Sequence, residues 1–75
     1  MHPYKERIIV NPGIMLGKPV IKGTRITVEL ILRKLSENMS FEELLEAYPH
    51  LAKEDILAAL SYSADVISQE ELIAS

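Results

Sequence analysis

The spacing of hydrophobic and polar positions changes near Thr27. Before that residue, short apolar runs alternate with turn-forming residues, and this part holds three of the four prolines and all three glycines. Such a composition disfavours helix. Short β-branched runs predict strands at 7–10 and 19–21, and Gly23 can supply the positive φ of a tight hairpin that folds 19–21 back on the four residues after the glycine. We therefore expect short strands before the first helix.

From Thr27 onward, apolar residues recur at the three- and four-residue spacing of an amphipathic helix. The pattern predicts a first helix over residues 28–38 with Thr27 as its N-cap. A second helix begins after Ser40, which opens a capping box, and Pro49 ends it because the residue before a proline disfavours the helical conformation. A turn at 50–53 precedes a third helix, so the sequence predicts three short helices.

The third helix is predicted to bury one side and to change its character near Ile67. That side carries Ile56, Ala59, Leu60, Ser63 and Ile67, and its apolar surface is widened by Leu57, Tyr62 and Ala64. After it, Ser68 and Glu71 form a second capping-box pattern. Two alternatives stay open: a break near Ile67 followed by a short last helix, or a fraying acidic tail over residues 68–75.

These elements define the expected fold. Seventy-five residues allow one domain, and folding removes only about 60% of the surface of so short a chain from water. We expect a single, mainly α domain with short β-strands and a basic loop over 1–27, a three-helix core over 28–67, and an acidic tail or short helix over 68–75. Three helices with a tight turn between the last two are typical of a helix-turn-helix domain. The same arrangement also occurs in three-helix bundles that do not bind DNA.

Composition excludes several classes of protein. The chain has no cysteine, which excludes disulfide frameworks and thiolate metal sites. Its 48% hydrophobic and 25% charged residues are typical of a globular domain rather than a disordered chain. Because no apolar run approaches ~20 residues and no signal-like segment opens the chain, we expect a soluble cytoplasmic protein without a membrane partner.

The net charge of −3 conceals an uneven distribution. Residues 1–40 hold seven of the eight Lys and Arg residues against three acids, whereas residues 41–75 hold one Lys against eight acids. This distribution excludes a protein that binds nucleic acid through a uniformly cationic surface. It predicts two oppositely charged surfaces instead.

The basic segment is a candidate surface for anions or nucleic acid. Backbone turns with Lys, Arg and hydroxyl side chains favour phosphate, although the glycine spacing matches neither the Walker nor the dinucleotide motif. The candidates are Lys18, Lys22, Thr24, Arg25, Arg33 and Lys34. The alternative is a structural hairpin with solvated cations. Base recognition by the third helix is disfavoured because Glu54, Asp55 and Asp65 would face phosphates.

The acidic end of the chain is a candidate surface for a basic protein partner, because it mixes carboxylates with apolar residues beyond the predicted core. The candidates are Asp65, Ile67, Glu70, Glu71, Leu72 and Ile73. Met15, Leu16 and Leu30 are further apolar residues outside that core, so a homodimer is also expected.

The sequence does not support catalysis. It contains no motif that pairs a nucleophile with a base or two carboxylates with each other, so we expect a protein that is not an enzyme and uses no cofactor. His50 follows Pro49 at a turn between helices, where packing or capping is the ordinary role. A metal or haem site there would need His2 or the His50 of a second copy as another ligand. The alternative function is therefore a stand-alone dimeric regulatory or ligand-binding protein.

The stretch from Ile14 to Tyr62 resembles the short prokaryotic proteins grouped as domain of unknown function 433 (DUF433). The resemblance lies in three elements that occur in this order: Gly17-Lys18-Pro19, Gly23-Thr24-Arg25 and Tyr48-Pro49-His50-Leu51. It implies a homeodomain-like three-helix fold preceded by short strands. The role proposed for such proteins is that of an antitoxin encoded beside a nuclease-like toxin with a PIN-type fold.

The leading hypothesis is therefore a non-enzymatic binding module. Its acidic tail and third helix would contact the toxin. Its basic loop and first helix would contact operator DNA, and this DNA contact is the weaker half of the hypothesis. Ala52 departs from the family pattern, in which a hydroxyl often precedes the third helix. Alanine at that position should weaken the N-cap by about 1 kcal/mol.

Overall fold

The computed structural model describes the backbone of residues 6–74 and the side chains of residues 6–69. In the described part of the chain, two strands and three α-helices follow one another: β1 (Ile8–Ile9), β2 (Val20–Ile21), α1 (Val28–Ser36), α2 (Phe41–Ala47) and α3 (Lys53–Ala74). A short 3-10 helix, Met15–Gly17, lies between the two strands. The expected class, a mainly α fold with three helices after short antiparallel strands, is confirmed.

β2 has a neighbour on each edge. It pairs antiparallel with β1, and the register places Ile8 opposite Ile21. On the other edge, the predicted hairpin is reduced to a single bridge between Val20 and Thr27, with Gly23 at φ +80° in the turn. Because strands of two residues are unstable alone, β2 depends on both neighbours and on burial against the helices.

α1 has the predicted N-cap and ends earlier than predicted. The Thr27 hydroxyl accepts a hydrogen bond of 3.0 Å from the Leu30 N–H. The helix ends at Ser36 rather than at residue 38, because Asn38 itself adopts the left-handed conformation with φ 70°.

α2 begins with the predicted capping box. The Ser40 hydroxyl accepts a hydrogen bond of 3.0 Å from the Glu43 N–H, and the Glu43 carboxylate accepts one of 2.8 Å from the Ser40 N–H. The helix ends at Ala47, two residues before Pro49. Its central Leu44 is fully buried.

α3 begins without a hydroxyl cap and uses the carboxylate of Asp55 instead. Asp55 Oδ2 accepts a hydrogen bond of 2.9 Å from the Ala52 N–H, and Oδ1 accepts one of 2.9 Å from Arg7 Nη1. Asp55 is buried, so this ion pair ties the start of α3 to the segment that enters β1. The missing hydroxyl at Ala52 is thus compensated in part by the third residue of the helix.

The core lies where the three helices meet β2. Its buried members are Ile21, Val28, Ile31, Leu44, Leu51, Ile56 and Ala59. Two residues predicted on the buried side of α3 are exposed instead: Leu60 is 37% exposed and Ile67 is 54% exposed. Leu60 points away from the arc of α3 that faces α1 and α2, and Ile67 lies more than two turns beyond the last core residue of α3, Ala59.

α3 continues as one helix to Ala74, without the break near Ile67 or the irregular tail that were alternatives for residues 68–75. Residues 50–75 contain neither Gly nor Pro, so no residue interrupts the helix. With 22 residues α3 is about 33 Å long, against about 14 Å for the 9 residues of α1. None of the helices in the described part of the chain combines the length and apolar character needed to cross a membrane.

Candidate protein-binding surface

An apolar groove runs between α1 and the second half of α3. We call it the α1–α3 groove, and its apolar lining consists of Pro19, Val28, Leu32, Val66 and Ile67. It has a volume of about 570 Å³. A channel of that size holds several side chains of a partner or a small ligand.

The groove is open because α3 is much longer than α1. Tyr62 packs against the core, whereas Val66, one turn further along the same face of α3, is 41% exposed. Neighbouring Ile67 also remains largely exposed. Large apolar side chains that share one exposed groove are typical of surfaces that contact another protein.

A carboxylate between two cations forms one rim of the groove. Glu29 Oε1 accepts a hydrogen bond of 3.0 Å from Lys18 Nζ, and Oε2 accepts one of 3.2 Å from Arg33 Nη2. The hydrogen bond from Lys18 and then that from Arg33 hold the pKa of Glu29 below its usual value. Two of the six candidate anion-binding residues are therefore already paired within the chain, and an incoming phosphate would compete with Glu29.

The other candidate cations lie in two places. Lys34 on α1 has its Nζ 3.8 Å from Glu37 Oε1. Lys22 and Arg25 are exposed on the turn before α1, and neither takes part in an ion pair among the described side chains. The basic candidates thus form two groups: those that lie beside carboxylates of α1 or of its C-cap (Lys18, Arg33 and Lys34), and those exposed on the turn (Lys22 and Arg25).

The hydroxyl of Thr24, the remaining candidate, stabilises the turn. It donates a hydrogen bond of 2.8 Å to the Ile21 carbonyl and accepts one of 3.0 Å from the Ile26 N–H. Both bonds lie within the loop between β2 and α1, so this hydroxyl has a structural role.

The candidate partner residues all fall on the second half of α3. Ile67 lines the groove, and Asp65 is half-buried on the same helix. The remaining four have a helical backbone, but their side chains lie outside the described residues: Glu70, Glu71, Leu72 and Ile73.

His50 is exposed in the turn between α2 and α3. Among the side chains that the structure describes, no group of three or more His, Cys, Asp or Glu residues is arranged to hold a metal ion. His2, the second ligand considered for a metal or haem site, lies outside the described residues.

An exposed apolar row on α3 was not predicted from the sequence. We call it the outer row, and its members are Leu57, Leu60, Ala64 and Ile67. Leu57 is 48% exposed. The signal that could have revealed the row is its spacing of three, four and three residues, which places all four side chains on one face of a helix. Sequence periodicity instead assigned Leu60 and Ile67 to the buried side of the helix and used Leu57 and Ala64 to widen it, and the structure shows all four exposed.

Comparisons with known proteins agree with the fold. A family model described as "Protein of unknown function (DUF433)" matches residues 8–63. Uncharacterized protein y4eO of Sinorhizobium fredii is 36% identical over 59 residues, which are 79% of this chain and 27% of that protein. An uncharacterized protein of Archaeoglobus fulgidus is 57% identical over 28 residues, which are 37% of this chain and 78% of that protein.

A solved structure shares the architecture. The crystal structure of a DUF433 member protein from Anabaena variabilis matches with a TM-score of 0.78 and 33% sequence identity, over 92% of this chain and 69% of that one. The chain therefore spans about a quarter of the length of the Sinorhizobium protein and most of the length of the other two proteins. The second half of α3, with Val66 and Ile67, follows the segment that the family model matches.

Proposed function

This chain belongs to the DUF433 family of proteins of unknown function, and we propose that it is a non-enzymatic protein-binding module with an antitoxin-like role. The proposed partner is a nuclease-like toxin of the PIN type that is encoded beside it. The α1–α3 groove carries the protein-binding part of this proposal, because it is an open apolar surface on a chain of only 75 residues. The antitoxin role rests on the suggestion made for the family that the sequence resembles.

The groove suits an amphipathic helix of the partner. Two helices form its walls, and apolar side chains three and four residues apart on a third helix fit such a channel. Such a helix would cover Val66 and Ile67 and complete the burial that a short chain lacks.

DNA contact is the weaker part of the proposal. In a helix-turn-helix protein, the helix after the turn enters the major groove. Here that helix begins with Lys53 and Glu54, and the exposed Glu54 carboxylate opposes the phosphate attraction that supplies much of the affinity for DNA. Asp55, which was expected to face phosphates as well, is buried and paired with Arg7 instead. The proposed phosphate contacts are therefore Lys22 and Arg25, which are exposed on the turn before α1.

Co-purification with the product of the neighbouring gene tests the protein-binding part. Val66→Lys should lower the amount of captured partner at least tenfold, because an unpaired charge within an apolar interface is costly. Val10→Lys is the matched control, since Val10 is 56% exposed and lies outside the groove. Full capture by the Val66→Lys variant would overturn the assignment of the groove. A neighbouring product that neither binds nor is toxic alone would overturn the antitoxin role.

A gel shift with the chain's own promoter tests the DNA part separately. Binding should weaken steeply as salt increases, because phosphate contacts release counterions. The double variant Lys22→Glu with Arg25→Glu should lose the shift. If the wild-type chain gives no shift at low salt, the proposed DNA contact is wrong, and the protein-binding part of the proposal is unaffected.

A further inference from the structure

The outer row of α3 is explained neither by the core nor by the groove. Leu57, Leu60 and Ala64 do not line the α1–α3 groove, and Ile67 alone among the four contributes to both surfaces. The row lies on α3 beside the buried face that carries Ile56. Two leucines, an alanine and an isoleucine in a single line form an apolar seam of the kind that pairs helices.

The seam is bounded by opposite charges. Continuing the same spacing towards the start of α3 leads to Lys53, and continuing it towards the end leads to Glu71. One face of the helix therefore carries a cationic position, four apolar positions and an anionic position in that order. The midpoint of this series lies near Tyr62, and positions at equal distances on either side of it are either both apolar or of opposite charge.

We propose that α3 packs against the α3 of a second copy of this chain in antiparallel orientation, with the two-fold axis near Tyr62. The register places Lys53 opposite Glu71 of the second copy, Leu57 opposite Ile67, and Leu60 opposite Ala64. Every layer of the seam then joins apolar to apolar or cation to anion. This interface does not depend on the proposed function, because the groove opens between α3 and α1 and shares only Ile67 with the outer row.

The charges select a second copy as the occupant of the seam. A two-fold interface uses one surface twice, so that surface must complement itself. An antisymmetric arrangement of charge meets this requirement only when the two helices are antiparallel. Parallel helices would place Lys53 beside Lys53 and Glu71 beside Glu71, and like charges at facing positions repel.

Side-chain size favours the same orientation. The antiparallel register sets Leu60 against the small Ala64, so that a large and a small residue fill each central layer. The parallel register would set Ala64 against Ala64 and leave a gap between layers of larger residues, and unfilled volume in an apolar contact is destabilising.

Single cysteines test the register, because the natural chain has none. A mixture of full-length Leu60→Cys and Ala64→Cys should form an interchain disulfide under mild oxidation, at least fivefold more than either variant alone. Glu46→Cys, at an exposed position of α2, measures collisional crosslinking. Preferential crosslinking of Leu60→Cys with itself would show parallel helices and overturn the proposal. Crosslinking of the mixture no greater than that of Glu46→Cys would also overturn it.

A charge exchange provides an independent test that does not need disulfide geometry. Lys53→Glu should raise the dissociation constant of the dimer about tenfold, because two attractive pairs in each dimer become repulsive. The double variant Lys53→Glu with Glu71→Lys should restore the wild-type constant. A double variant that dimerises as weakly as the single variant would overturn the register.

Discussion

Neighbouring residues of α3 have the same size and opposite environments. Ile56 is fully buried in the core, while Leu57 is 48% exposed on the outer row. On the buried face the polar groups are also satisfied within the chain, since Asp55 accepts hydrogen bonds from both Arg7 and the Ala52 N–H. The fold thus uses only part of α3, and the apolar remainder is available to other chains.

The basic segment shows the opposite behaviour. Its excess of cations is the most conspicuous feature of the sequence, yet Lys18 and Arg33 share Glu29, and Lys34 lies beside Glu37. The charge asymmetry of the sequence therefore overstates the positive surface of the folded chain. Among the described residues, the large exposed apolar side chains lie in two places: on α3, and in the segment between the two strands, where Leu16 is 94% exposed.

The largest expected effect separates the two faces of α3 directly. Ile56→Ala should lower the free energy of unfolding by about 3 kcal/mol at any protein concentration, because it opens a cavity in the core. Leu57→Ala should change it by no more than about 0.5 kcal/mol in dilute solution and by more at high concentration, where the outer row is covered. Urea denaturation of both variants at two concentrations measures the contrast. If the two substitutions lowered the free energy of unfolding of dilute protein equally, the contrast between the two faces of α3 would be contradicted.

The ion pair at the start of α3 should have the next largest effect. Asp55→Asn retains the shape of the side chain and an acceptor for Ala52, but it removes the charge that pairs with Arg7. We expect a loss of about 2 kcal/mol in the free energy of unfolding, because a part-buried hydrogen bond to a charged group is replaced by a neutral one. Combining the substitution with Arg7→Gln should cost less than the sum of the two single changes, and strict additivity would argue against the pair.

The two hydroxyls that the sequence marked as helix caps should differ by a smaller amount. Thr27→Ala removes a real cap and should cost about 1 kcal/mol in the free energy of unfolding. Ser68 lies inside α3, so Ser68→Ala should change that free energy by less than about 0.5 kcal/mol and in the stabilising direction. Thermal unfolding followed by circular dichroism measures both. A clear loss of stability in the Ser68→Ala variant would indicate that α3 is interrupted at that residue.

The pH dependence of stability should be the smallest effect, because the carboxylates involved are exposed. The hydrogen bond from the Ser40 N–H lowers the pKa of Glu43 from its ordinary value of 4.5, and the bond from Lys18 lowers that of Glu29. Folding therefore favours their ionised forms, and the resulting stability is present above the ordinary pKa and lost as the pH falls through the lowered value.

Urea midpoints measured between neutral pH and about pH 3 will show this loss. Glu43→Gln keeps an acceptor for the Ser40 N–H without titrating, so the variant should have a flatter profile over the acidic range. A variant profile parallel to that of the wild type would show that the capping box adds nothing to the pH dependence.

Local signals made the ends of the first two helices predictable. The hydroxyl of Thr27 accepts a hydrogen bond from an N–H only three residues further along the chain. The capping box of Ser40 and Glu43 likewise spans only four residues. Asn38 follows the end of its helix in the left-handed conformation, which asparagine adopts more readily than most residues. Interactions of this range depend on few residues, so the sequence identifies them directly.

Longer-range features could not be obtained in that way. The partner of Asp55 is Arg7, 48 positions away, and no periodicity links the two. The buried arc of α3 depends on where α1 and α2 pack, which explains why Leu60 was assigned to the core. The length of α3 was missed because a capping pattern at Ser68 outweighed the absence of any residue that would stop the helix.

The candidate site was predicted in part for the same reasons. Composition placed the partner surface on the second half of α3, where the groove includes Ile67. It did not identify the α1 side of the groove, because a groove exists only once two helices lie next to each other. The pairing of Lys18 and Arg33 with Glu29 likewise joins residues whose common neighbour becomes visible only in the folded chain.

Sedimentation equilibrium of the full chain from micromolar to millimolar concentration is the most direct test that α3 completes its burial against another chain. The weight-average mass should rise from the monomer value of 8.4 kDa towards twice that value. Leu57→Glu should hold the mass at the monomer value while circular dichroism remains that of the helical wild type. A wild-type chain that stays at 8.4 kDa over the whole range would contradict the assignment of the outer row as an interface.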